Sequence, residues 1–93
     1  MSINILFILI FPPDCFETNV DYIRNDIAFV ADVATAADCQ LKCAERDGCT
    51  HFTFVTRDGR NGNLRSGCRL KNDLGGKRAK MSSVSGPLYC AMN

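Results

Sequence analysis

Ninety-three residues carrying a net charge of +1 make one small domain, or one module of a longer chain, and leave no room for a two-domain enzyme with a cofactor fold. Leu, Ile, Val and Phe number 24, yet eight of them fall in the first eleven residues, so only 16 serve the other 82. That supply is near the level at which apolar burial alone fails to hold a core, and the same stretch holds six cysteines, which points to a disulfide-stapled extracellular module.

The chain opens with Ile5-Leu6-Phe7-Ile8-Leu9-Ile10-Phe11, an apolar run ended by Pro12-Pro13. It is far shorter than the roughly 18 apolar residues of a spanning helix. Its length suits the hydrophobic part of a signal peptide, but no Lys or Arg precedes it and no small residues mark a cleavage site. Residues 1–14 are therefore read as a signal remnant or as sequence outside the module, with a buried edge strand as the alternative.

Residues 15–34 mix apolar and acidic positions, with Val20, Tyr22, Ile27, Phe29 and Val33 as the larger anchors of short strands whose register is not readable. Thr35-Ala36-Ala37-Asp38 has the form of a capping box, with Thr35 as N-cap and Asp38 reaching back. The helix it starts should run from Cys39 through Arg46 and stop near Gly48. Residues 50–56 are β-branched and aromatic, with Phe52 and Phe54 alternating onto one face toward the core. Asp58-Gly59 and Asn61-Gly62 mark the loop of a long hairpin, and residues 64–71, with Cys68 and Leu70, supply its return strand. Residues 73–80 read as a basic, glycine-bearing loop, and residues 84–90 as a final short strand. One helix against a small antiparallel sheet follows, an α+β arrangement.

Six cysteines allow 15 pairings. Cys39 and Cys43 are four apart on one helix, with Cβ atoms about 5–6 Å apart where a disulfide wants about 3.8 Å, so they must find separate partners. Excluding that pair leaves twelve schemes open. Cys49 lies within reach of Cys43 just past the helix, and Cys68 on the hairpin within reach of Cys39. Zinc is disfavoured, because the spacings lack paired Cys-x2-Cys units and the chain has a single histidine, His51. No base accompanies a candidate nucleophile, and there are no paired carboxylates, phosphate loop or serine elbow, so no enzyme activity and no cofactor are expected.

The succession Cys39-x3-Cys43-x5-Cys49-Thr50-His51-Phe52-Thr53-Phe54, then Gly67-Cys68-Arg69-Leu70-Lys71, then Ser85-Gly86-Pro87-Leu88-Tyr89-Cys90, resembles a PAN/apple domain over residues 15–90. The resemblance implies a curved antiparallel sheet of about five strands cradling one α-helix. It also implies pairing of the first cysteine with the sixth, the second with the fifth and the third with the fourth. Here those are Cys15–Cys90, Cys39–Cys68 and Cys43–Cys49. Residues 91–93 are then a short C-terminal tail. Cys15-Phe16-Glu17-Thr18 and the closing Ser85-to-Cys90 stretch look most like the apple modules of coccidian microneme adhesins. On that likeness the expected function is an extracellular adhesion module that binds protein or carbohydrate, one of several in a larger secreted adhesin stored in micronemes and used for host-cell attachment. The alternative is a docking module of a secreted serine protease that holds a partner protein or a sulfated glycan.

Residues 1–50 carry three basic groups against eight acidic, and residues 51–93 eight basic against Asp58 and Asp73. A polarised surface and an acidic or sulfated partner are implied. The candidate ligand-binding residues are Arg57, Arg60 and Arg65 on the hairpin loop and Lys77, Arg78 and Lys80 on the following loop. Solvated charges serving solubility are the plainer alternative. With no Trp and no aromatic among the cations, nucleic acid has no stacking platform. No membrane insertion is expected.

Overall fold

A computed structural model describes residues 15–56 and 66–90. The elements in chain order are β1 (Glu17–Tyr22), β2 (Asp26–Ala31), α1 (Ala36–Glu45), β3 (His51–Val55), β4 (Gly67–Lys71) and β5 (Lys77–Pro87). The strands make one antiparallel sheet in the order β1-β5-β3-β4-β2, and α1 packs on its central strands.

β1 and β2 follow one another in the chain but occupy the two edges of the sheet. Only residues 23–25 join them, with Arg24 and Asn25 both in the left-handed region at φ 66° and 65°. This corner is stitched to the β4–β5 connection, where Ile23 N–H donates to Gly76 O and Asn72 N–H to Asn25 O, each at 3.1 Å. The two edges therefore meet at one end, and the sheet must curve.

Thr35 is the N-cap, its Oγ1 accepting from Asp38 N–H at 3.0 Å. The helix ends with Arg46 as C-cap, and Gly48 at φ +88° turns the chain back toward β3. Its inward face presents Cys39 and Cys43, both fully buried, to a core of Val33, Phe52, Phe54 and Leu70. Phe16 meets Phe52 edge-on, with ring centroids 5.5 Å apart. Gly86 lies beneath them, where an added Cβ would come within 3.1 Å of both rings. The core is small, as the supply of large apolar residues requires.

Three disulfides join Cys15 to Cys90, Cys39 to Cys68 and Cys43 to Cys49, the pairs that the resemblance implies. The first ties the two ends of the described fold, the second fastens α1 to β4, and the third closes the turn after the helix. Bonds of this kind contribute about 2–4 kcal/mol each, comparable with the whole stability of a small domain.

Several expectations need correction. Residues 77–80 are not loop but the first part of an eleven-residue strand, and the final strand ends at Pro87 rather than Cys90. β1 supplies the missing partner, with Val20, Asp21 and Tyr22 opposite Ala79, Arg78 and Lys77. Lys77 and Arg78, whose charges look like those of a solvated loop, are thus stabilised by Glu17 and Asp21 of β1. Phe29 is not a core anchor, being 56% exposed, and its ring lies under the Arg69 guanidinium at 5.7 Å. The hairpin loop, with Arg57, Arg60 and Arg65, lies outside the described residues, as do residues 1–14 and 91–93.

Candidate binding groove

β3 is buried on both faces. Phe52 and Phe54 face α1, while Thr53 points the other way into a polar layer. There Thr53 Oγ1 lies 2.7 Å from Ser85 Oγ and accepts from Tyr22 N–H at 3.1 Å. Ser85 Oγ in turn donates to Val20 O at 2.6 Å. These hydroxyls bring the end of β1 over the sheet, and beside them opens a groove of about 380 Å³.

Residues from all five strands and the 23–25 corner line this groove. Register places Lys71 opposite both His51 and Asp26, and Arg69 opposite Thr53 and Phe29, so the two cations share the face that turns away from the helix. Lys71 is 2% exposed, and its ammonium donates to Asp26 Oδ1 and, at 3.0 Å, to Arg24 O. Arg69 shares the same carboxylate at 3.4 Å. On the opposite wall Arg78 Nε donates to the buried Asp21 carboxylate at 2.9 Å. Arg24 reaches Gly75 O at 3.3 Å, and Lys80 makes no ion pair among the described residues. Five cations therefore face two carboxylates.

Tyr22 closes one side of the groove. Its hydroxyl donates to the Glu17 carboxylate, which also receives Lys77 Nζ at 3.1 Å. Burial, together with the Glu17 acceptor, pushes the Tyr22 phenol well above its ordinary range. The Tyr22 hydroxyl, reinforced by Lys77, holds the Glu17 carboxyl below the usual carboxylate value. Ser83, 1% exposed, lines the floor and carries a buried hydroxyl with no hydrogen-bond partner.

Of the six cations named from the sequence, Lys77, Arg78 and Lys80 share β5, and Arg78 and Lys80 reach the groove. Lys77 is turned to Glu17 and lies 5.8 Å from the Tyr22 ring centroid. Arg24, Arg69, Lys71 and Ser83 line the groove in addition to those cations. Period-2 spacing of Arg69 with Lys71, and of Ser83 with Ser85, is the one signal in the sequence that groups them. It takes the strand order to bring those pairs together.

Among the described residues there is no group of three or more His, Cys, Asp or Glu side chains placed to hold a metal. No helix among them is long and apolar enough to cross a membrane. Three disulfides belong to an oxidising, extracellular or secretory environment. A curved sheet and helix framed in this way, with an open polar groove, define an extracellular binding module. Residues 15–90 match the PAN domain, and the chain belongs to that family, whose members bind protein or carbohydrate and are not catalytic. No curated protein matches the chain.

Proposed function

We propose that this chain is an adhesion module that attaches to host-cell surfaces, acting as one of several such modules in a larger secreted adhesin of the microneme type. Residues 15–90 form the binding unit in this reading, and residues 1–14 and 91–93 take no part in recognition. The observation that carries it is the surplus of cations over carboxylates on one face of the sheet. An acidic or sulfated ligand complements such a face, and an open groove suits weak binding that gains strength by repetition. Lys77, Arg78 and Lys80, with Arg57, Arg60 and Arg65, are the cations proposed to meet the ligand.

Cell binding of a single copy and of two copies joined by a flexible linker tests the reading. The linked pair should bind animal cells at least about 100-fold more tightly than the single copy, and soluble sulfated glycan should compete. If neither form binds cells above a charge-matched control protein, the adhesion reading fails.

A further inference from the structure

The Ser83 hydroxyl is the one polar side-chain atom among the described residues that is fully buried without a hydrogen-bond partner. A buried hydroxyl left unsatisfied is costly, and its neighbours Thr53 and Ser85 are both satisfied. It sits on the floor of the groove whose rim carries Lys80 and Arg24. Neither rim cation has a carboxylate partner, since Asp21 is taken by Arg78 and Asp26 is shared by Lys71 and Arg69. The groove thus has one unused hydroxyl just beneath its floor, which a turn of the Ser83 side chain presents, and two cations above it that lack a carboxylate, Arg24 being held by the Gly75 carbonyl.

We infer that this groove, on the sheet face turned away from α1, binds a single sugar unit bearing an oxyanion, with Ser83 hydrogen-bonding a ring hydroxyl and Lys80 and Arg24 holding the carboxylate or sulfate. The inference deepens the adhesion reading by assigning it a site. A sugar is favoured over an acidic peptide because the lining is charged and polar, with Ser83 as its unused hydroxyl and Val55 and Ile23 as its only aliphatic side chains. Such a surface matches alternating hydroxyls better than the apolar stems of a peptide. Charge-assisted bonds from an ammonium and a guanidinium are the stronger contacts, and the neutral hydroxyl supplies orientation.

The test is an amide NMR titration of the full chain with four probes: a sulfated uronate disaccharide, its desulfated form, lactose and tetraglutamate. Both acidic disaccharides should shift amides around Tyr22–Asn25, Arg69–Lys71 and Ser82–Val84, whereas lactose and tetraglutamate should leave them in place. The difference between the two disaccharides separates sulfate from carboxylate as the anchoring group. Lys80→Ala and Arg24→Ala should each weaken binding roughly tenfold. Ser83→Ala should weaken it by a smaller factor without lowering the unfolding midpoint, because no hydrogen bond within the fold is lost and a costly unsatisfied hydroxyl is removed. Lys42→Ala, on α1, should bind as the parent does. Shifts that map elsewhere, or an undiminished affinity in Lys80→Ala and Arg24→Ala, overturn the groove while leaving the adhesion reading intact. Tetraglutamate occupying the groove overturns the sugar assignment, and no shift with any probe overturns the site itself.

Discussion

Arg78 Nε donates to Asp21 Oδ2 at 2.9 Å across the β1–β5 ladder, with Asp21 buried and Arg78 largely exposed. This contact and its neighbour Lys77–Glu17 pair the acidic N-terminal half with the basic C-terminal half. Four described cations of the C-terminal half, Arg69, Lys71, Lys77 and Arg78, are thus paired with carboxylates of the N-terminal half.

Replacing Asp21 by Asn should accordingly do two things. Stability should fall by about 1 kcal/mol in urea unfolding, since the lost partner is a charged acceptor while Arg78 stays solvated. Retention on an anionic matrix should rise, because Arg78 is released. A variant of parental stability that is also unchanged on the matrix would show that the pair contributes nothing.

The Cys39–Cys68 bond alone among the three joins helix to sheet. Changing both residues to Ala should cost about 2–5 kcal/mol and leave little folded chain at physiological temperature. Thermal unfolding followed by circular dichroism reads this out. A loss under 1 kcal/mol would mean that burial of the helix face holds α1 in place unaided.

Glu17 gives a pH dependence with a definite sign. Its carboxyl is held below the ordinary value, so the stability it contributes is complete above the unfolded-state pKa and is lost as the pH falls through the lower folded-state value. Tyr22→Phe removes the main cause, the Tyr22 hydroxyl. The Glu17 titration, followed by carboxyl-carbon NMR, should move back toward the usual carboxylate range. Tyr22 acts at the other extreme, where the fold loses stability as rising pH ionises the unfolded chain first.

A chain beginning at Pro13 should fold with the same dispersed amide spectrum as the full chain. The described fold starts at Cys15, whose disulfide to Cys90 ties its ends together, and Pro12-Pro13 interrupts any strand ladder. Collapse of the spectrum would mean that the apolar segment supplies a core strand.

The helix and the central hairpin were legible because their signals are local. Thr35, Gly48, and the alternating Phe52 and Phe54 each act through neighbours in sequence. The first half of β5 was not legible, since Gly75-Gly76 followed by Lys77, Arg78 and Lys80 has the composition of a loop. Those residues become a strand through β1, some 57 positions earlier at the Arg78–Asp21 contact, and a single sequence does not disclose that partner. β1 and β2 were blurred for a related reason. A register shift between Thr18 and Val20 and another between Asp26 and Ala28 break the alternation that marks a strand. The groove was hidden because its floor and walls come from separate strands, each contributing one to three residues that are ordinary in their own segment.

The central claim is that cations on the sheet face, rather than the net charge of the chain, carry recognition. Salt elution from immobilised heparin compares the parent with Lys77→Ala/Arg78→Ala/Lys80→Ala and with Arg57→Ala/Arg60→Ala/Arg65→Ala. Both triple variants lose the same formal charge, so any difference between them reports position. The parent should be retained at low salt, and the β5 triple variant should elute well before the hairpin-loop triple variant. Passage of the parent through the column, or equal elution of the two variants, would contradict the claim.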